Sequence, residues 1–339
     1  MRNIKAVVYG IGEMGKITAR MMLEKGIEIT GAIGNKSNIG MDLGETIGLD
    51  HPLNVIISNV AEDVFKKEKA DIVVMSVGSM MEPMYPHFQK CLKNNMNVIT
   101  IAEEAFYPWR ISPKYSKNLD ELAKKHGVTL TACGIQDIFW LNLLTVLSGA
   151  SGLIESVLGQ AISNADNYGP LAVEALNIGE TKEKFYKKQE KTGTNLSFFG
   201  IALESIIADL GLKISKKKER MEPILCTEDM VSKSLGKTVK SGLVIGGNQI
   251  TEIDTKERIY FRSEFISKIL KAGETEKSKW IIKGVPDLYL ENENLPGPLA
   301  TCAAMVNRIP DVINSIPGFI TAEKLPKPKI KFNFSISGK

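Results

Sequence analysis

Over the first 150 residues the sequence alternates two periodicities, and this narrows the fold more than any other feature. Short runs apolar on both faces ("IKAVVYG", "IEITGAIG", "NVIIS", "DIVVMSVG", "NVITIAE" and "VTLTACG") are mostly separated by segments with helical spacing, such as Glu13 to Lys25 and Pro83 to Asn94. A strand buried on both faces needs helices on both sides of its sheet, so the pattern predicts a doubly wound parallel α/β sheet. After "ACGIQDIFWLNLLTVLSGA" the rhythm changes. Polar helical text around Ala172 to Glu190 and an amphipathic stretch, "LSFFGIALESIIADLGL", precede strand-like text from Gly242 to Glu291. Helices followed by a run of strands predict a second, α+β domain. The last segment, "LPGPLATCAAMVNRIPDVINSIPGF", predicts one more helix ended by proline and glycine. The expected division is 1–138, 139–297 and 298–339.

Composition excludes several classes. With 339 residues, 43% hydrophobic and 24% charged, the chain has the make-up of a soluble globular protein. Its formal net charge of +4 is spread with both signs mixed, and the longest basic run, Lys213 to Arg220, lacks interleaved aromatics. That run is expected to be a solvated turn, and no nucleic-acid partner is expected. No apolar run approaches the roughly 18 residues that span a bilayer, so no membrane partner is expected. The opening "MRNIKAVVYG" carries no small-residue cleavage site, so no signal peptide is expected. Cys91, Cys133, Cys226 and Cys302 lie far apart, without a C-x-x-C pair, which fits free thiols in a reducing cytosol. His51, His87 and His126 are equally scattered, so no metal site is expected.

In "VVYGIGEMGK", Gly10, Gly12 and Gly15 stand as G-x-G-x-x-G between a predicted strand and a predicted helix. In that context the glycines divide the work. Gly10 allows the tight turn, Gly12 the approach of backbone to a pyrophosphate, and Gly15 the packing of helix on strand. The phosphates are expected on the amides that open the helix, at Glu13 and Met14. The second strand ends in Asn35, Lys36, Ser37 and Asn38, with no acid to hold a ribose diol. This leans the expected cofactor towards NADP, with NAD tolerated. Small residues, Ser76, Val77, Gly78 and Ser79, stand at the end of the fourth run, where a flat nicotinamide can lie against backbone.

"NVITIAEEAFYPW" sends two carboxylates, Glu103 and Glu104, from a buried strand into an aromatic and proline cluster. A carboxylate in such surroundings has its proton affinity raised by desolvation unless a cation faces it. One reading is a helix N-terminal acid bridged to a local lysine. The other is a group that binds a cationic substrate and moves its protons, which suits amine chemistry. Glu104 is the first candidate for that role and Glu103 the second. Gln136, Asp137 and Trp140, with Asn164, Asn167 and Tyr168, are candidate substrate-binding groups, although Asp137 alone reads more simply as a helix N-cap. Arg308 suits a carboxylate clamp, with a surface ion pair as the commoner fate.

The stretches "YGIGEMGK", "EEAFYPW", "LTACGIQDIFWLNLLTVLSGA" and "TCAAMVNRIPDVIN…PGFITAEKLP" resemble the 2,4-diaminopentanoate dehydrogenases of clostridial ornithine fermentation, from start to finish of the chain. The resemblance implies NAD(P)-dependent oxidative deamination of (2R,4S)-2,4-diaminopentanoate at C4, giving 2-amino-4-oxopentanoate and ammonia. It also implies a dihydrodipicolinate reductase-like fold: a Rossmann domain, an inserted mixed-sheet domain and a C-terminal helix returning to the first. A homodimer and a catalytic glutamate at position 103 or 104 are implied as well. Some members carry an acid where this chain has Asn35. Dihydrodipicolinate reductase itself is a poor match, since its E-L-H-H motif is absent after Ile154. The alternatives are a broad amine dehydrogenase that reductively aminates ketones, and a non-catalytic dinucleotide-binding redox sensor.

Overall fold

The computed structural model describes the chain except residues 1, 36, 68, 169–172, 175, 193–196 and 337–339, and leaves undescribed the side chains of 168, 191, 192 and 336. The chain divides into two compact units, residues 1–138 with 298–339, and residues 139–297.

The first unit is built on six strands in chain order: β1 (Lys5–Tyr9), β2 (Glu28–Ile33), β3 (Ile57–Ser58), β4 (Ile72–Met75), β5 (Asn97–Thr100) and β6 (Thr129–Ala132). Between them run helices α1 (Glu13–Glu24), α2 (Ala61–Lys67), α3 (Met81–Lys93) and α4 (Pro113–His126). Val8, Val74, Ile99 and Leu130 in the strands are buried, which is why the text there is almost continuously apolar. Helix α4 ends in the manner its sequence announces: Lys124, Lys125 and His126 fill its last turn, and Gly127 takes a left-handed φ of 67°.

After the second unit the chain returns as helix α6 (Gly297–Ile313) and a two-residue strand, β13 (Gly318–Phe319). The resulting seven-stranded sheet has the order β13-β6-β5-β4-β1-β2-β3, all parallel. Order reverses at β1, which has β2 on one side and β4 on the other, so the carboxyl ends of β1 and β4 flank the switch point where doubly wound sheets bind ligands. Strand β13 has no signal of its own in the sequence. Gly318 has a φ of 141°, and Phe319 is seated by its amide donating to Asp120 Oδ1 at 2.9 Å.

The second unit contains β7 (Leu153–Asn164), β8 (Ile214–Leu225), β9 (Val244–Thr255), β10 (Tyr260–Lys268), β11 (Lys277–Val285) and β12 (Leu288–Glu293). They form one mixed sheet in the order β12-β11-β7-β10-β9-β8, with β7 and β10 the parallel pair. Helix α5 (Phe198–Asp209) packs on β10, β9 and β8, and Val157, Phe261, Trp280 and Ile282 are buried on that face. One expectation is corrected here. The basic run from Lys213 lies in edge strand β8, not in a turn, and its outward lysines suit an unpaired edge. Inward-facing Lys217 reaches Glu204 of α5 at 2.7 Å and Glu219 at 3.0 Å. Strand β7 was not legible because its buried face is built largely of small residues, Gly159, Ala161 and Ser163, alternating with half-buried Leu158 and Gln160, which weakens the apolar signal.

All four cysteines are buried and unbridged, and no cluster of metal-ligating side chains occurs among the described residues. No described helix is long and apolar enough to cross a membrane.

Candidate active site

At the switch point the three glycines are held by steric necessity. Gly10 has a φ of 101°, and a Cβ there would lie 2.4 Å from the carbonyl oxygen of Ser76. A Cβ on Gly15 would lie 1.8 Å from the Gly10 carbonyl oxygen, so helix and strand approach as closely as they do only because both residues are glycine. Gly12, the N-cap of α1, differs: a Cβ there meets nothing within 4 Å, and its side chain position faces open space above the first amides of the helix. This is the cradle a diphosphate needs. Asn38 fixes the loop from the side, donating from Nδ2 to the Ile11 carbonyl at 3.1 Å. Glu13 is exposed and Met14 half-buried, its carbonyl accepting from Thr18 Oγ1 at 2.7 Å.

Asn35 and Ser37, after β2, are both exposed, with Ser37 Oγ donating to Asn35 Oδ1 at 2.9 Å. Lys36 lies outside the described residues. After β4, Ser76 contacts the glycine loop, while Val77 and Gly78 are exposed beside it. Val77 is 44% exposed, an apolar surface next to a polar loop that a flat ring would cover.

The neighbouring glutamates have opposite settings. The chain leaves β5 into a single 3-10 turn, Glu103–Phe106, so strand alternation no longer decides which side chain points where. Glu104 is buried, and its Oε2 accepts from the Met81 amide at 2.7 Å while its Oε1 accepts from the Ser112 hydroxyl. That carboxylate caps the first turn of α3 and ties it to the start of α4, a structural use of a negative charge. Glu103 is partly exposed and forms no ion pair among the described residues. Burial pushes its carboxyl above the ordinary glutamate range, with a hydrogen bond from Ser79 opposing the shift only in part. Ser79 belongs to the loop after β4, so Glu103 stands at the carboxyl edge of the sheet beside the switch point.

The cluster that follows is packing: Phe106 is fully buried, and Trp109 stacks on Phe319 with centroids 5.6 Å apart.

The candidate substrate groups are distributed between the units. Gln136 and Asp137 fall in a π-helical segment, Gln136–Asn142, and so Asp137 is not an N-cap. Asp137 is fully buried in a two-pronged pair with Arg308 of α6, Nε to Oδ2 at 2.7 Å and Nη2 to Oδ1 at 2.9 Å. Arg308 also donates to the Pro326 carbonyl, and it is neither a surface residue nor a free clamp. Gln136 is buried with its Oε1 against Gly134.

In the second unit Trp140 is buried against Phe199, centroids 4.6 Å apart, and its Nε1 has no hydrogen-bond partner among the described residues. Asn164 and Asn167 both serve a local knot: the Asn164 amide and Asn167 Nδ2 donate to Glu276 Oε1 at 2.9 and 3.2 Å. The backbone of Tyr168 is helical, and its side chain lies outside the described part. Sequence reading placed Ser79 among the small residues at the carboxyl end of β4 but missed Ser112, whose only signal was its position at a helix start.

A doubly wound sheet with this glycine loop, joined to a mixed-sheet unit, defines a dinucleotide-binding oxidoreductase of the dehydrogenase class. The profile of the 2,4-diaminopentanoate dehydrogenase C-terminal domain matches residues 139–335. The curated 2,4-diaminopentanoate dehydrogenase of Acetoanaerobium sticklandii is 30% identical over 97% of this chain and 95% of its own length. The solved structure of an amine dehydrogenase from Mycobacterium smegmatis is 37% identical, with a TM-score of 0.91 over 98% of this chain and 99% of that one. A probable dehydrogenase from Thermotoga maritima, 12% identical with a TM-score of 0.60 over 94% and 92% of the two chains, shares the fold. The chain belongs to the 2,4-diaminopentanoate dehydrogenase family, and so to the oxidoreductases of the amine dehydrogenase type.

Proposed function

We propose that this protein catalyses NAD(P)-dependent oxidative deamination of (2R,4S)-2,4-diaminopentanoate at C4, with Glu103 as the group that handles the protons of the reacting nitrogen. The observation that carries this reading is the partly exposed Glu103 carboxyl at the switch point, with raised proton affinity and no ion-pair partner among the described residues. An ammonium is the ion such a group would welcome. The order of preference given by the sequence is reversed because Glu104 is engaged by Met81 and Ser112.

Gly10, Gly12 and the amides of Glu13 and Met14 would hold the cofactor diphosphate, and Asn35, Lys36 and Ser37 its adenosine ribose. Bound there, the nicotinamide supplies the hydride acceptor. Glu103 takes a proton from the C4 ammonium, leaving the neutral amine whose lone pair drives loss of hydride. After releasing that proton to solvent, the same carboxylate takes a proton from the water that adds to the iminium and returns it to the departing ammonia. The balance is ammonium, oxidised cofactor and water in, ketone, ammonium ion, reduced cofactor and one proton out. In reverse the site performs reductive amination.

Asn35 and Ser37, with no acid among the described residues at the end of β2, favour acceptance of NADP as well as NAD. A homodimer in the cytoplasm, acting in ornithine breakdown, completes the reading.

A broader amine dehydrogenase is the second reading, favoured by the similarity to the M. smegmatis enzyme. Absorbance of reduced cofactor, followed with 2,4-diaminopentanoate, ornithine, lysine and 2-aminopentane and with each cofactor, tests both. Turnover of the diamino acid above that of 2-aminopentane is expected; the reverse order selects the broader enzyme, and no turnover of any amine refutes both.

A further inference from the structure

A serine just before a helix ordinarily caps it, accepting from an amide of the first turn. Ser79, in the loop between β4 and α3, does not. The cap position of α3 is Met80, which makes no side-chain bond, and the Met81 amide is served instead by Glu104 Oε2 at 2.7 Å. Half-buried Ser79 is committed to the turn that carries the glutamates. Its carbonyl accepts from the Glu104 amide at 3.0 Å, and its side chain is hydrogen-bonded to the Glu103 carboxyl. Loop and turn are thus laced together at neighbouring residues, Ser79 holding Glu103 and Glu104 from one side while Glu104 holds Met81 and Ser112 on the other. Glu104 ties the backbone down, and Glu103 is aimed by the Ser79 hydroxyl.

The titratable groups around the turn are engaged elsewhere. Glu82 of α3 lies 3.5 Å from the Tyr115 hydroxyl of α4, and Asp120 of α4 lies 2.7 Å from Lys124. His87 of α3 lies 2.6 Å from the Tyr9 hydroxyl, and β6, on which the turn packs, has no titratable side chain. The causes acting on Glu103 are accordingly burial, which raises its proton affinity, and the Ser79 side chain and its own backbone amide, which lower it.

We infer that Ser79 is the positioning residue of Glu103, its hydroxyl fixing where the carboxylate points and keeping it ready to accept the proton of a substrate ammonium. The inference rests on the reading of Glu103 as the proton-handling group and deepens it. A carboxylate desolvated without any donor would keep its own proton and could not take one from an ammonium. A hydroxyl suits the task because it donates to the ionised oxygen without adding a charge. A lysine or arginine in its place would pair with the acid and repel the ammonium. Ser79 also directly follows Ser76, Val77 and Gly78, the residues offered to the nicotinamide, so one short loop sets both the seat of the ring and the aim of the acid.

Full-length wild type, Ser79→Ala, Ser79→Thr and Glu103→Gln test this. The bond from the Glu104 amide to the Ser79 carbonyl is made by backbone, and none of these substitutions removes it. The Glu103 carboxyl is followed directly by infrared titration, its band being the one lost in Glu103→Gln. It is followed kinetically by the acid limb of the kcat/KM profile for 2,4-diaminopentanoate. In Ser79→Ala both midpoints are expected to rise by about one pH unit, the worth of a hydrogen bond to a charged group, so that the rate on the acid side falls about tenfold. Ser79→Thr, which keeps the hydroxyl, is expected to restore both. An infrared midpoint unmoved or lowered in Ser79→Ala overturns the inference. So does an equal rise in Ser79→Thr, which traces the effect to the loop rather than to the hydroxyl. An infrared midpoint that rises in Ser79→Ala and returns in Ser79→Thr, in a protein that oxidises no amine or whose acid limb stays in place, sustains the positioning of Glu103 by Ser79 and refutes the role of Glu103 in deamination.

Discussion

The two units hold unpaired buried polar groups in unequal measure: among the described residues the first leaves the Thr30 hydroxyl without a partner, and the second leaves several such atoms. In the first, Asp137 is locked to Arg308, Glu104 to the Met81 amide and Ser112, and Asp42 to the amides of Gly44, Leu53 and Val55. In the second, Trp140, Ser163, Ser263 and Ser278 stay without partners among the described residues on one face of a sheet. A polar group satisfied by protein fixes geometry; one left unsatisfied destabilises the fold and is available to a ligand. The first unit thus reads as a paired platform with an acid available at its edge, and the second as the less completely paired of the two.

The sharpest challenge to that contrast is at the paired glutamates. Glu103→Gln is expected to lower kcat/KM for deamination by about 10²–10⁴, the usual worth of a proton-transfer group. It is also expected to raise the melting temperature at neutral pH. The folded carboxyl binds its proton more tightly than the unfolded one, so its contribution to stability is present below the ordinary glutamate pKa and lost as pH rises through the folded value. For the same reason the acid limb of the deamination rate profile should sit above the ordinary glutamate range and vanish in Glu103→Gln. If Glu104→Gln instead carries the larger kinetic loss, the assignment of roles within the turn is inverted.

Next in size is the buried pair. Arg308→Met, which strands Asp137, is expected to destabilise by about 3–5 kcal/mol in urea denaturation, while Asp137→Leu/Arg308→Met together should recover most of that. Persistence of full stability in the single variant would mean the first unit does not depend on its internal pairing. Glu104→Ala, which leaves the Met81 amide and the Ser112 hydroxyl without their acceptor, is expected to lose about 1–3 kcal/mol, read the same way.

The smallest expected effect has the opposite sign. Ser278→Ala removes a buried hydroxyl that no described residue satisfies, and should leave stability unchanged or raise it by up to about 1 kcal/mol. A clear loss would show that the hydroxyl is already used by the fold, and the contrast between the units would weaken.

How much of this was legible varies by segment. The glycine loop was readable because its constraint is local: strand, turn and helix are contiguous, and Gly10 and Gly15 meet within one turn. The presence of an acid beside the sheet edge was equally plain in "EEAFYPW". Which acid was not, because the outcome depends on Met81 and Ser112, residues that the sequence places apart and the fold brings to one carboxylate. Asp137 misled for a related reason, since its partner Arg308 stands 171 positions away. The basic strand β8 concealed itself because an edge strand needs charge on its outer face and so resembles a loop in composition.

By itself the sequence determined the parallel sheet, its ligand edge, the dinucleotide loop and the arrival of carboxylates beside it, since each follows from periodicity or from steric limits within a few residues. Only tertiary structure decided that Glu104 is held by the Met81 amide and Ser112 while Glu103 is not, and that Asp137 and Arg308 belong to the core. Those outcomes depend on desolvation and on pairing between distant segments, and both are properties of neighbours in space rather than neighbours in the chain.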